Sequence, residues 1–358
     1  MKRLLLFAAL SACLPAQNLS FMPRDVSTAC AAAAAGTAIS PRFAFTVSIP
    51  NAGPMVFDGT YLWVGSFDLV TAIDPATGAI VASQPIAGTQ FMAYDAPSGT
   101  LWLEGGSVGA QVNKVNAQQI IANSGSAPVN SIAFGFGSPS ALAIDSSAAG
   151  RNVWAVAGGQ TTIIKMGSLE VVGTISAPDG YPITQVNEAF SLGGMMLSTS
   201  GLAGAANLWF YGHTGTSPWE SPFVQQTLSA GAWDGPAQTQ FSGQAGDGAL
   251  YKYAFPAGGG TSGVVQSTLY LTDAADSAAP EIGGINSVTV SPGGAFALVV
   301  RQEVDVPNQV YFVGESCPAG THTVPGVSVP GAVFTAFGGG FAWASFPGPA
   351  GGVTAIAF

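Results

Sequence analysis

Gly59-Thr-Tyr-Leu-Trp-Val-Gly65 reads as a glycine turn running into a short strand of aromatic and branched residues. The phrase recurs as GTLWLEG from Gly99 and as GRNVWAVAG from Gly150. Looser copies follow Gly194, Gly248, Gly294 and Gly340. Before each glycine lies another apolar run ending in Asp, Gly, Ser or Pro, as in PMVFDG, FMAYDAPSG and ALAIDSSAAG. Each unit therefore reads as two strands joined by a tight turn. Around Gly59 two more strands complete the unit: LVTAID, the turn Pro75-Ala76-Thr77-Gly78, then AIVASQPI.

Seven such units, one every 40 to 54 residues, predict an all-β, seven-bladed β-propeller over residues 41–358. A four-stranded blade needs about that length, and no single blade buries its faces alone. The last unit holds only AVFTAFGG, FAWASF and GVTAIAF. The unassigned run Phe43 to Ile49, FAFTVSI, then fits as its outer strand, which closes the ring without a free edge. In blade five, GVVQSTLYLTD is followed by no clear fourth strand, which makes that blade the weakest match.

The segment LWVGSFDLVTAIDPATGAIVASQPIAG resembles the YVTN-type propellers, whose repeat runs from a Leu-aromatic-Val strand through an Ile-Asp turn to a second apolar strand. Virginiamycin B lyase-like and NHL propellers are similar at this level. The likeness implies a fold and carries no active site.

Composition agrees with a large, turn-rich core. Apolar residues make up 48% of the 358 and charged residues 8%, with 48 Gly and 24 Pro. The net charge of −10 and the scatter of only nine Lys and Arg exclude a nucleic-acid binder. MKRLLLFAALSAC has the charged start and short apolar run of an export signal over residues 1–16. Leu10-Ser11-Ala12-Cys13 resembles a bacterial lipobox, which implies a lipid on Cys13; ordinary cleavage after Ala16 is the alternative. Residues 17–40 read as a tether, in which the five alanines after Cys30 are too few for a stable lone helix. The expected location is outside the cytoplasm, in the cell envelope, periplasm or medium. There Cys30 and Cys317 are the pair left to form a disulfide.

Chemical signals are sparse. Trp63, Trp102, Trp154 and Trp343 hold equivalent places in four blades, which reads as packing between blades. His213 and His322, the only histidines, fall on the face carrying the first-to-second and third-to-fourth strand turns, opposite the expected ligand face. GGSVG from Gly105 matches a nucleophile elbow but precedes a strand rather than a helix. Asp273, Asp276 and Glu281 offer oxygen ligands for calcium at a spacing that matches no EF-hand.

The ligand face is expected where second-to-third turns and the connections between blades converge. Position alone selects Phe67, Asp68, Asp179, Tyr181, Trp233, Asp234, Arg301, Glu303 and Asp305, with Arg301 read as a surface cation paired to Glu303 or Asp305. A monomeric binding scaffold for a protein or carbohydrate, needing no cofactor, is the reading favoured by so few bases. The rivals are a propeller lyase or lactonase with calcium or another divalent metal in its channel, and a structural cell-surface protein.

Overall fold

In a computed structural model, each apolar run becomes a strand and each Gly- or Asp-centred stretch a turn. The structure describes residues 41–357 except 107–109, 136, 148–149, 190–191, 200–207, 214, 216–218, 221–227, 235–237, 245–248, 256–264, 271–283, 292–295, 303–307 and 315–325. The strands form seven four-stranded antiparallel sheets; six are meanders in chain order, and the seventh takes its outer strand from Arg42–Ser48. Blade one is Met55–Phe57, Leu62–Gly65, Leu69–Ile73 and Ile80–Pro85.

The turn chemistry is the expected one. Asp58 Oδ1 accepts from the backbone N–H of Thr60 and Tyr61, both at 2.7 Å. Asp74 Oδ1 accepts from Ala76 N at 2.9 Å, and Gly78 takes φ +72°, which a side chain would resist.

The ring closes as expected. Arg42–Ser48 pairs antiparallel with Gly352–Ala357, from Arg42 opposite Ala357 to Ser48 opposite Gly352. Val47 and Ile49 are buried in the cluster that joins blade seven to blade one. Phe45 packs edge-on against Phe341 and Trp343, with centroids at 5.7 and 5.5 Å. The expected Phe43–Ile49 strand is Arg42–Ser48, shifted by one residue at each end; Cys13, Cys30, Cys317, His322 and Ser107 of the GGSVG stretch lie outside the described residues.

The core is a ring of apolar clusters, one between each pair of neighbouring blades. The four tryptophans are each fully buried and each faces the following blade: Trp63 toward blade two, Trp102 toward three, Trp154 toward four, Trp343 toward one. Alternation along a strand sends neighbouring residues to opposite blades, so both faces of each sheet are apolar.

Two features depart from the sequence reading. The first is blade five, which comprises Leu228–Asp234, Thr239–Gln244, Ala249–Ala254 and Val265–Tyr270. TQFSGQ is its second strand rather than its first, and STLY belongs to its fourth. The turn before Ala249 is thus a second-to-third turn. The first-to-second turn follows Trp233-Asp234-Gly235, the same Asp-Gly signal as Phe57-Asp58-Gly59 in blade one. The second is a helix at Ala117–Ala122, between the third and fourth strands of blade two. Asn116 caps it by accepting from Gln119 N at 3.0 Å, and Ala117 and Ile120 bury one side of it. Gly125 then turns the chain back at φ +85°, where a Cβ would lie 2.0 Å from Ser83 O of blade one.

Candidate functional site

The first strands of all seven blades surround the axis, and their inward-facing residues line a channel cavity of about 180 Å³. Its lining is uncharged and lopsided. Blades four, six and seven contribute amides and hydroxyls: Gln185, Asn187, Asn286, Ser287, Thr289 and Thr335. Blades one, two and seven contribute Met55, Phe91, Met92 and Phe334.

The polar arc is stitched across blades. Ser287 Oγ lies 3.2 Å from Thr335 Oγ1, and Thr289 Oγ1 donates to Thr335 O at 3.0 Å. Phe91 and Phe334 meet edge-on with centroids 6.3 Å apart, joining blades two and seven on the apolar side. Such a lining can hydrogen-bond amides or hydroxyls of a neutral guest and stack against its apolar parts. Sequence reasoning passed over these residues. The signal was there: polar residues interleaved in otherwise apolar first strands, as in ITQVNEA and INSVTV.

Of the nine positions chosen from sequence, the seven that are described are not brought together. Phe67 is 67% exposed and Asp68 is exposed, both on the second-to-third turn of blade one. Their carbonyls anchor the connection to blade two, accepting from Gly88 N at 2.6 Å and Ile86 N at 3.0 Å. Asp179 sits in the connection before blade four. There its Oδ2 accepts from Thr199 Oγ1 and Trp209 Nε1, both at 3.1 Å, and its Oδ1 accepts from Tyr181 N at 3.0 Å.

Trp233 and Asp234 end the first strand of blade five and so belong to the opposite face, a consequence of the corrected strand order. Asp234 is buried, and Trp233 packs on Phe255 at 5.5 Å. Arg301 is 1% exposed, which overturns its reading as a surface cation. Glu303, Asp305, Asp273, Asp276 and Glu281 lie outside the described residues. Among the described residues, no three of His, Cys, Asp and Glu gather as a metal centre requires.

His213 follows the third strand of blade four and meets the first turn of blade three. Its Nδ1 lies 2.9 Å from Asp145 Oδ2 and 3.1 Å from Ser147 Oγ. Ser147 Oγ donates to Asp145 Oδ1 at 2.7 Å and accepts from Gly150 N at 3.0 Å. With the serine proton given to the aspartate, the hydrogen on Nδ1 is shared between the two oxygens. Ser, His and Asp are all present, yet serine and aspartate address the same ring nitrogen, so no base is placed to take the serine proton. The group staples blades three and four. Beside it, Glu188 accepts from Ser146 N and Oγ at 2.8 and 2.7 Å, and burial raises its pKa.

No protein-family model matches the chain, and no curated protein sequence is similar to it at a significant level. Solved structures share the fold. U3-55K superposes with a TM-score of 0.64 at 10% identity, over 89% of this chain and 98% of that one. The WD40 repeats of RRP9 superpose at 0.63 and 10% identity, over 88% and 97%. At this identity the likeness is one of fold.

Proposed function

We propose that this chain is an exported binding scaffold of the YVTN kind, tethered by a lipid on Cys13, that holds a peptide segment of a protein partner at the mouth of its central channel. The observation that carries the reading is the lopsided channel lining. Asn187, Asn286 and Thr289 line the same cavity as Phe91 and Phe334, and no charged residue lines it. Peptide groups want hydrogen-bond partners and apolar side chains want the aromatic wall, and a neutral lining admits both without a desolvated charge. The rigid ring keeps that lining preformed, which limits the ordering cost of binding. The similarity to WD40 propellers and the export signal in the first 16 residues agree with this reading.

The test is selection of a random peptide library against the exported protein and against Asn286→Trp, which fills the channel. Peptides that bind the parent and lose about tenfold or more in affinity on Asn286→Trp support the reading. Ligands held equally by both proteins, or none at all, overturn it. Mass spectrometry of Cys13 from the membrane fraction tests the tether separately; a mature chain starting after Ala16 refutes it.

A further inference from the structure

Three of the nine Lys and Arg side chains of this acidic chain surround one pocket, on the face opposite the expected ligand face. It lies between blades two and three, with a volume of about 340 Å³, and Lys114, Arg151 and Lys165 line it together with Asp95, Trp102 and Met166. Counting lining side chains, three positive charges face one negative charge. Glu170 stands opposite Lys165 in its hairpin but forms no ion pair with it.

Comparison of blades shows what the pocket lacks. In blade one, Trp63 Nε1 donates to Asp58 Oδ2 at 2.8 Å; in blade seven, Trp343 Nε1 donates to Gly338 O at 2.9 Å. Asp95 is the counterpart of Asp58 in blade two. Arg151 has claimed it with a two-pronged ion pair, Nη1 to Oδ1 at 3.1 Å and Nη2 to Oδ2 at 2.9 Å. Trp102 Nε1 is left buried with no acceptor among the described residues, as is Trp154 Nε1 in blade three. A buried donor without a partner is costly and rare, and an oxygen brought by a ligand would satisfy it.

The remaining donors are ammonium groups. Lys114 Nζ sits 5.3 Å from the centroid of the Trp102 ring and spends one hydrogen on Met166 O at 2.7 Å. Lys165 is exposed, and its ammonium has no partner among the described residues. The arginine fork that matches a carboxylate is already occupied by Asp95. Point-charge lysines suit the rounder, doubly charged phosphate. Trp102 and Met166 supply an apolar wall, and the volume falls in the range of small-molecule sites, ~300–1,000 Å³.

We infer that this pocket binds a small phosphate monoester. The phosphate dianion lies between Lys114 and Lys165, one of its oxygens accepts from Trp102 Nε1, and its organic part packs on Met166.

Titration calorimetry of the exported protein with phenyl phosphate, inorganic phosphate and benzoate tests this. Phenyl phosphate is expected at one site, more tightly than inorganic phosphate, which lacks the apolar part, and more tightly than benzoate. Lys165→Ala, on an exposed side chain, should weaken it about tenfold. Trp102→Phe stays aromatic though smaller, removes the N–H and should weaken it severalfold. Asn286→Trp, which fills the channel, should leave it unchanged. Melting curves of each variant establish that it is folded. No binding at millimolar phenyl phosphate, equal affinity in folded Lys165→Ala and Trp102→Phe, or benzoate bound as tightly as phenyl phosphate overturns the assignment.

Discussion

Glu104 lies on the second strand of blade two, Thr100–Gly105, two residues beyond Trp102 and on the same side of the sheet. It is 0% exposed, and neither carboxylate oxygen has a hydrogen-bond partner among the described residues. An ionised carboxylate is untenable there, and burial pushes its pKa well above the ordinary carboxylate range. In the unfolded chain Glu104 ionises near pH ~4.3. Between that pH and its raised native pKa, the folded protein therefore holds a proton that the unfolded protein has lost. Stability contributed by this group is fully present at acid pH and falls as pH rises through that window.

The slope is set by one proton, about 1.4 kcal/mol per pH unit, and it flattens once the native carboxyl ionises. Glu104→Gln cannot ionise. Its buried amide carries a penalty of its own, but that penalty does not vary with pH. Denaturant unfolding of parent and variant from about pH 5 to 8 should give stability curves that converge or cross, the parent losing ground at up to about 1.4 kcal/mol per unit. Parallel curves, or a parent that gains stability relative to Glu104→Gln as pH rises, would refute the reasoning.

Four further outcomes are expected. Deletion through Ile49 removes the closing strand and two buried side chains worth about 1.5–3 kcal/mol each, and bares the edge of Gly352–Ala357; a melting temperature unchanged by the deletion contradicts the closure. Gly125→Ala places a methyl group against Ser83 O on a left-handed backbone and should cost about 1–3 kcal/mol, measured by unfolding. His213→Ala removes the staple between blades three and four and should also cost about 1–3 kcal/mol, because Asp145 stays fully buried with one partner fewer; an unchanged unfolding midpoint argues against the staple. Cys30 and Cys317 should be joined in the exported protein, since the twelve residues from Cys30 to Arg42 span at most ~3.3 Å each and can reach blade six from the closing strand; two free thiols by mass spectrometry of unreduced protein rule the bridge out.

What was legible in the sequence is what local chemistry repeats. Asp58-Gly59, the Pro75 to Gly78 turn and the buried Trp63, Trp102, Trp154 and Trp343 are set by turn geometry and by the alternation of strands. A blade that cannot bury its own faces must recur, so blade number and ring closure followed from counting. Blade five was misread because its apolar runs flank two turns equally well, and only pairing of Leu228–Asp234 with Thr239–Gln244 distinguishes them. That slip moved Trp233 and Asp234 to the other face.

The channel lining and the basic pocket were not legible, because they are built across blades. Asn187 and Asn286 come to one channel, and Lys114, Arg151 and Lys165 to one pocket, through the packing of separate sheets. Arg301 read as exposed because a cation near Glu303 and Asp305 is normally solvated; its place at the end of the second strand of blade six, between Ile285 and Gln309 on the flanking strands, buries it. Sequence dictates each strand through neighbours a few residues away, whereas the environment of a side chain depends on which distant strands the closed ring sets against it.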